Sequence, residues 1–307
     1  MAFHLFGNIL TCHGTAANNR GENEGNITTL QKILWKGEVH STVSAEAIRW
    51  ALRYYWQTSG INHAVNRQWD DDLNNNTWQN QNFDDRQYID DDVLGYMRAE
   101  GAKIEASDLD SDQPQPKGKK DKPKGTTTAK RGVLEVTRAV STTPFVGDIT
   151  FNAKSGTKNS TSLYGTEVHA TRYQYGFAMT PDRLKDKSRI IPVLDGLSSL
   201  GEVAGNHARF LYDFAPDSMI LRWTHDFSPR FLYCFNEDNA GEITVAELIR
   251  RVESQDIEPT ELWVSGAIAG TPDGEQLKEL GVNVSNGIKK TVTQLKQLIA
   301  KDLGVKL

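Results

Sequence analysis

The sequence predicts an α+β protein in which a sheet-based body carries two insertions. An early strand, loop and helix are separated from the later strands and helices by a long stretch of different composition, 61–131. A second polar stretch, about 143–166, has the pattern of a protruding hairpin. Strand–helix–strand units around an antiparallel sheet favour a ferredoxin-like core. We therefore assign 1–60 and 132–307 to the body and 61–131 to an inserted region.

Composition limits the class of protein. The chain has 307 residues, of which 38% are hydrophobic, enough for one large core or two modest ones. Its net charge of −5 argues against a free-standing nucleic-acid module unless the positive charge is concentrated on one surface. Cys12 and Cys234 form no metal or disulfide pattern. No signal peptide or membrane span is apparent, so we expect a cytoplasmic protein with no cofactor and no metal.

The first elements are a strand, a loop and a helix. FHLFGNILTCHG is typical of a buried strand, and an Asn- and Gly-rich loop follows it with Asn18, Asn19 and Arg20 in its middle. Apolar residues then recur at spacings of three and four, which predicts an amphipathic helix. Ser44 is its expected N-cap, and Gly60 is expected to end it.

Arg49 and Arg53 lie four residues apart on this helix, so they project from one face, and no acidic residue lies four residues from either. Together with Arg20 they are predicted near the end of the first strand. Such a patch suits a phosphate backbone, because arginine offers several planar donors. Asn18, Asn19 and Ser44 would add neutral donors. This stretch is equally compatible with an alternative in which the two helix arginines only form a solvated surface of the helix.

The inserted region is acidic and Asn-rich before it turns basic. Within it, about 108–130 combines Pro, Gly and Lys, which predicts a flexible charged segment. The two DDD runs, 70–72 and 90–92, contain the oxygen ligands that Mg²⁺ prefers. Consecutive aspartates point in different directions, however, so we interpret both runs as solvated, charged surface.

The second insertion is predicted to be a β-hairpin. PFVGDITF leads outward, KSGTKNS forms the tip and LYGTEV returns. It carries Phe145, Phe151, Leu163 and Tyr164, and aromatic faces stack on nucleobases of any sequence. Packing on a neighbouring subunit is the alternative. EVHATRYQYGFAMT then alternates as a strand, with His169 on the same face as the tyrosines.

The remaining chain predicts alternating helices and strands. A helix with a break near Pro192 precedes three short strands, HARFLYDFA, SMILRWTH and RFLYCFN. ITVAELIRRVES is predicted to be a helix, ELWVSGAIAG a buried strand, and NGIKKTVTQLKQLIAKDLG the last helix. The sequence has no hydrolase, zinc-protease, P-loop or dinucleotide-binding motif.

Three segments together resemble a known family: NNRGENEGNITTLQKILWKGEVHSTVSAEAIRWALR, GDITFNAKSG and YGTEVHATRYQYGFA. They resemble the backbone subunit of type I CRISPR surveillance complexes (Cascade), in particular the DevR-like type I-B family. The resemblance is strong over 1–60 and 133–180 and weakest in 61–131. It implies a modified RRM-like palm, an inserted finger region and a β-hairpin thumb, in a subunit that is not itself an enzyme.

The resemblance also implies roles for individual residues. Arg20 matches a basic loop residue, Ser44 and Arg49 match a first-helix motif that grips guide phosphates, and Arg53 matches a later basic position. Ala45 and Trp50 stand where related backbones often have a second serine and a second basic residue. The complete expected RNA-binding set is Asn18, Asn19, Arg20, Ser44, Arg49, Arg53, Phe145, Phe151, Leu163, Tyr164 and His169.

The partners that the resemblance implies are crRNA, target DNA through pairing with the guide, and further copies of the chain in a helical filament. A guide 5′-end cap subunit, a large subunit and a guide-processing subunit would complete the complex; no membrane is involved. One alternative is a type III-like backbone that cleaves target RNA with a metal and a loop aspartate, but NNRGENEG contains Glu22 and Glu24 and no aspartate. A self-assembling protein without nucleic acid is the other.

Overall fold

The computed structural model describes residues 1–17, 23–99, 127–153, 163–204, 212–238 and 240–307. The α-helices in these ranges are α1 Ala45–Thr58, α2 Ile89–Val93, α3 Ile190–Leu197, α4 Ala246–Glu253, α5 Pro272–Glu279 and α6 Ile288–Leu303. Short 3₁₀ helices cover Pro181–Arg183, Lys187–Arg189, Pro259–Glu261 and Ala267–Gly270. The strands are β1 His4–Thr11, β2 Gly14–Ala16, β3 Asn23–Glu24, β4 Ile27–Thr28, β5 Lys32–Trp35, β6 Glu38–Val43, β7 Arg67–Asp70, β8 Asn75–Trp78, β9 Gly95–Ala99, β10 Thr127–Arg131, β11 Leu134–Val136, β12 Ala139–Ser141, β13 Ile149–Ala153, β14 Leu163–Glu167, β15 His169–Thr171, β16 Tyr173–Met179, β17 Pro216–Thr224, β18 Asn236–Glu237, β19 Ile243–Thr244, β20 Leu262–Gly266 and β21 Asn283–Ser285.

A large mixed sheet forms the body. Its strands run in the order β21-β20-β17-β1-β16-β12-β6-β5, and β11 also pairs with β16. The first strand, β1, is antiparallel to both of its neighbours, whereas β20 and β21 are parallel. The prediction of a mixed α and β fold is therefore confirmed, and the finer description as an RRM-like palm stays a prediction.

Helices cover both faces of this sheet, which is why β1 is buried along its whole length. Because side chains alternate along a strand, Leu5 and Ile9 point into one core and Phe6 and Leu10 into the other. The first core is closed by α1, α3 and α6, and the second by α4 and α5. This sandwich fixes the end of β1 from which the loop and the hairpin leave the body.

The start of α1 has the geometry that the sequence predicts. The Ser44 side chain accepts a hydrogen bond from the backbone N of Ala47 at 3.2 Å, so it is the N-cap. The helix ends at Thr58, and Gly60 adopts a left-handed φ of 67° two residues later.

Several predicted elements differ from the structure. RFLYCFN is a loop up to Phe235, because Arg230 and Tyr233 adopt positive φ values of 62° and 57° that no strand can accommodate, and Phe231, Cys234 and Phe235 are its buried residues. GVLEVTRAV is divided into β11 and β12 around Thr137, whose hydroxyl accepts from the backbone N of Gly176. Pro192 causes no break: it lies in the first turn of α3, where a missing N–H costs no hydrogen bond. Most of HARFLYDFA lies outside the described residues, and 212–215 form no strand.

The inserted region contains more regular structure than its composition suggests. Residues 108–126 of the predicted flexible segment lie outside the described residues, but Thr127–Arg131 is the ordered strand β10, paired with β9. Strands β7 and β8 form a second hairpin, and the Gln57 side chain exchanges two 2.8 Å hydrogen bonds with the backbone of Trp69. These bonds tie the region to α1.

The interpretation of both DDD runs as solvated surface is wrong for 90–92. Asp90, Asp91 and Asp92 lie in and around α2 and are all buried, while Asp71 and Asp72 of the other run are exposed. The three buried carboxylates do point in different directions, as expected, but each meets different donors. The donors are the backbone N of Asn66 and of Arg67 for Asp90, Asn66 Nδ2 and the backbone N of Asp84 for Asp91, and Arg189 Nη1, Lys130 Nζ and the backbone N of Lys185 for Asp92.

Burial raises the pKa of Asp91 to about 6, against 3.8 ordinarily. A carboxyl group with a raised pKa in the folded chain contributes stability at low pH, and this stability is lost as the pH rises through 6. Between pH 7.5 and pH 5 we therefore expect wild type to gain about 1 kcal/mol of unfolding free energy relative to Asp91→Asn. Urea titrations at both pH values measure these unfolding free energies, with Asp72→Asn as the exposed control. A difference in unfolding free energy between wild type and Asp91→Asn that does not change with pH would contradict this prediction.

Candidate nucleic-acid interface

The loop after β1 and the predicted hairpin are joined in space. Strand β2, which precedes the loop, pairs with β15, and β4, which follows it, pairs with β14 of the hairpin. Asn18, Asn19 and Arg20 lie between these strands but outside the described residues. The two described strands that flank these residues therefore both pair with segments at the base of the hairpin, although they are far from it in sequence.

The hairpin forms as the sequence predicts and exposes an apolar face. Strands β13 and β14 are antiparallel, with Phe151 opposite Gly165, and the tip at 154–162 lies outside the described residues. Ile149, Phe151 and Leu163 share one face and are 41%, 73% and 61% exposed. We call these three residues the apolar face of the hairpin. Exposed apolar groups on this scale indicate a surface that binds a partner.

The other two aromatic candidates are oriented differently. Tyr164 is half-buried and lies opposite Asn152, on the other face of the hairpin. Phe145 precedes the hairpin strands, and its backbone N donates to the carbonyl of Val39 in β6 at 2.8 Å. Its ring packs edge-on against His169 with 5.5 Å between centroids. Phe145 thus belongs to the base of the hairpin, not to the apolar face.

Arg49 and Arg53 are engaged within the protein. The Arg49 guanidinium donates to the carbonyl of Leu94, and Arg53 Nε lies 3.3 Å from Asp90 Oδ2. Burial lowers the pKa of both guanidinium groups, and only 14% of the Arg53 side chain is exposed. The sequence lacked an acidic partner four residues away, yet the inserted region supplies one to Arg53. Phosphate contacts by these two arginines stay a prediction. The burial of Arg53 and its contact with Asp90 do not favour a phosphate contact by that residue.

Ser44 and His169 also have structural roles. As the N-cap, Ser44 uses an oxygen lone pair and not its hydroxyl hydrogen. His169 is buried: its Nδ1 lies 2.7 Å from Ser41 Oγ, and its Nε2 lies 3.3 Å from Thr143 Oγ1. Burial lowers its pKa to about 4, so the imidazole is neutral at pH 7. Direct RNA contact by His169 stays a prediction without support from this geometry, because the ring is enclosed.

The structure adds residues that we did not select from the sequence. Burial raises the pKa of the Cys12 thiol at the end of β1, and the charge of Arg172, which lies half-buried between β15 and β16, partly opposes this rise. Lys32 Nζ pairs with both carboxylate oxygens of Glu167 at 2.8 and 2.7 Å. Arg172 lies within one of the three family segments, which was its only signal. Lys32 and Glu167 also lie within family segments, but no pattern in the sequence indicated that they pair across 135 residues.

In the described ranges no group of three or more His, Cys, Asp or Glu side chains is placed to hold a metal ion. None of the helices described is both long enough and apolar enough to cross a membrane.

Known proteins similar to this chain agree with the resemblance seen in its motifs. No family model matches the sequence. The chain is 44% identical over 305 residues to the CRISPR-associated protein Cas7/Cst2/DevR of Myxococcus xanthus (strain DK1622), covering 94% of this chain and 95% of the relative. Its fold is similar to a chain of a CRISPR RNA-guided surveillance complex in a pre-nicking state, with a TM-score of 0.58 at 10% identity over 96% of this chain and all of that one. A chain of a second CRISPR RNA-guided surveillance complex gives 0.52 at 13% identity, over 95% and 99% of the two chains.

These two identities are low enough that the structural matches speak for the fold alone. The Myxococcus relative is a stronger comparison, because it combines 44% identity with nearly complete coverage of both chains. The chain therefore belongs to the Cas7/Cst2/DevR family of CRISPR-associated proteins.

Proposed function

We propose that the chain is a non-catalytic backbone subunit that binds crRNA and oligomerises along it in a type I, I-B-like CRISPR complex. In this role it presents the guide for pairing with target DNA, while the protein itself reads backbone and shape. The observation that supports the proposal is that the strands on either side of the loop after β1 pair with the base of a hairpin whose apolar face is exposed. One edge of the molecule thus combines a predicted phosphate-binding loop with a surface that needs a partner.

The proposed RNA contacts lie at the end of β1. Asn18, Asn19 and Arg20 in the loop would be joined there by Arg172, and Ser44 retains a hydroxyl hydrogen for a phosphate. RNA binding is compatible with a net charge of −5 if a few basic groups are concentrated at the end of β1, because phosphate contacts depend on the local electrostatic potential and not on the net charge. Acidic residues elsewhere remain available to solvent or to other subunits.

Self-assembly follows from the position of the apolar face. A protruding face that docks on a different surface of the next copy makes a head-to-tail contact, and such contacts form open helical arrays when they do not close. The guide would set the length of the array. A guide 5′-end cap subunit, a large subunit and a guide-processing subunit would complete the assembly, and these partners are proposed from the family alone.

The alternative is a backbone that cleaves target RNA with a metal ion, as in type III complexes. It is less favoured because the loop sequence NNRGENEG has no aspartate. An assembled complex incubated with target RNA and Mg²⁺ separates the two: intact target agrees with the scaffold, and cuts at regular intervals would establish the nuclease.

RNA binding is tested by the salt dependence of affinity. Arg20→Ala and Arg172→Ala should each weaken guide binding whatever the guide sequence, and each should reduce the log–log salt slope by about 0.7, the value for one contact to a single strand. Arg53→Ala is a poorer test, because it also removes a donor from buried Asp90.

The matched control is Arg250→Ala, since Arg250 forms an exposed ion pair with Glu247 on α4. Filter binding or fluorescence anisotropy at several salt concentrations measures affinity and slope together. If the log–log salt slope is unchanged in the Arg20→Ala, Arg172→Ala double variant, the end of β1 is not the RNA-binding surface. Wild-type protein that neither copurifies with RNA nor binds a guide would contradict the proposed function as a whole.

A further inference from the structure

The orientation of the hairpin is not set by strand pairing with the body. Strands β13 and β14 belong to a four-stranded sheet with β4 and β3, and β15 pairs with β2. Among the described residues, neither of these small sheets shares a strand with the large sheet. Strand pairing therefore does not set the angle between hairpin and body. Besides the backbone hydrogen bond from Phe145 to Val39, two side chains in the returning half of the hairpin connect the two.

The first contact is a clamp formed by Glu167, the last residue of β14. One of its carboxylate oxygens accepts from the backbone N of Leu30 at 2.7 Å, and both accept from Lys32 Nζ at 2.7 and 2.8 Å. Lys32 lies in β5, at the edge of the large sheet, and its Nζ also lies 4.7 Å from the centre of the Phe145 ring. The clamp thus holds the edge strand against both the outgoing and the returning segments of the hairpin.

The second contact is a buried network centred on His169. One ring nitrogen bonds to Ser41 in β6 of the large sheet, and the other bonds to Thr143 at the entry to the hairpin. The edge of Phe145 covers the same ring. Both contacts therefore connect the two outermost strands of the large sheet, β5 and β6, to the two ends of the hairpin.

We propose that His169 and Glu167 are positioning residues that fix the angle of the hairpin before any RNA or second copy binds. A preorganised arm avoids the entropy cost of ordering the hairpin at each contact along an array. The proposal concerns the free chain. Its consequence for assembly rests on the proposed function.

His169→Phe tests the network without leaving buried groups unpaired. Ser41 Oγ keeps its 2.8 Å hydrogen bond to the Tyr173 hydroxyl, and Thr143 Oγ1 keeps its 2.8 Å bond to Thr171 Oγ1. Phenylalanine also preserves an aromatic ring for Phe145. We therefore expect the variant to fold with a melting temperature close to that of wild type, although the link between hairpin and sheet is lost.

Glu167→Ala removes the clamp, and each variant has a conservative partner. His169→Gln and Glu167→Gln keep hydrogen-bonding groups at these positions and should restore the angle. Glu38→Ala, an exposed glutamate at the start of β6, is the matched control. A role in stability alone would change melting temperature without changing the orientation of the hairpin.

The measurement is the distance between spin labels at Thr150 on β13 and Lys290 on α6 in the RNA-free chain, with Cys12 replaced by Ser so that it is not labelled. We expect a narrow distance distribution in wild type, in the two glutamine variants and in the control. In His169→Phe and in Glu167→Ala we expect a distance distribution at least twice as broad. Distributions in His169→Phe and Glu167→Ala as narrow as wild type would overturn the proposal.

Assembly on guide RNA is measured separately by light scattering. Fewer copies per guide in Glu167→Ala, with its single-copy RNA affinity unchanged, would support the positioning role, and full arrays in both broadened variants would overturn its importance for assembly. If wild type fails to bind RNA, the proposed function fails, while the label distances still decide whether the two residues orient the hairpin.

Discussion

Replacing Asp92 by alanine should lower the free energy of unfolding by about 3–5 kcal/mol, the cost of removing one partner from a buried ion pair. Arg189 is only 3% exposed, and its Nη1 lies 2.7 Å from Asp92 Oδ2. Lys130 Nζ lies 2.7 Å from the other oxygen, and the backbone N of Lys185 donates to the same carboxylate. The variant leaves a buried guanidinium without its counter-charge, so the loss greatly exceeds that of an exposed ion pair.

Three further variants isolate the cause. Asp72→Ala, at an exposed aspartate of the other DDD run, should change stability by no more than about 0.5 kcal/mol. Asp92→Asn should cost less than Asp92→Ala, because an amide oxygen still accepts from Lys185. The double variant Asp92→Leu, Arg189→Met should lose less unfolding free energy than either single variant, since both charges then leave the interior. Urea unfolding of all the variants gives the comparison, and an Asp92→Ala protein as stable as Asp72→Ala would show that Arg189 needs no buried partner.

The sequence was sufficient where the signal is local. Strand β1 is rich in apolar residues, α1 has an N-cap and an apolar stripe, and the hairpin has a Gly- and Ser-containing tip between its strands. Each pattern is complete within about 20 residues. The family segments added the expectation of a basic residue in the loop after β1, and strand β4, which follows that loop, pairs with β14 of the hairpin. These features predicted the fold class and the two ends of the candidate site.

Prediction failed where the deciding partner is distant in sequence. The rule that adjacent aspartates diverge holds for 90–92, but the conclusion of a solvated surface was wrong because Arg189 lies 97 residues from Asp92. The contact between Arg53 and Asp90 escaped prediction for a related reason, because the two residues are 37 positions apart. No local pattern contains such pairs. RFLYCFN failed differently, because its apolar residues fill the second core from a loop whose positive φ values are set by tertiary packing.

The double variant Phe151→Ser, Leu163→Ser should abolish assembly along the guide while leaving a folded monomer. The two side chains are 73% and 61% exposed, so they contribute little to the stability of the free chain, and we expect unfolding free energy to change by no more than about 0.5 kcal/mol. In the proposed array the same side chains meet a base or the neighbouring copy. Stacking of one such group on a base is worth about 1–3 kcal/mol.

The effect on assembly is larger than the effect on one binding event, because every copy in an array depends on the hairpin of its neighbour. A loss of about 1.4 kcal/mol per contact is tenfold in each association constant, and the factor recurs at every step along the guide. Size-exclusion chromatography with light scattering on guide-loaded protein should show single copies or short oligomers in place of full arrays. Leu73→Ser, which removes a 65% exposed leucine from the turn between β7 and β8, is the control and should assemble normally. Full-length arrays from the double variant would show that the apolar face of the hairpin takes no part in the contact between copies.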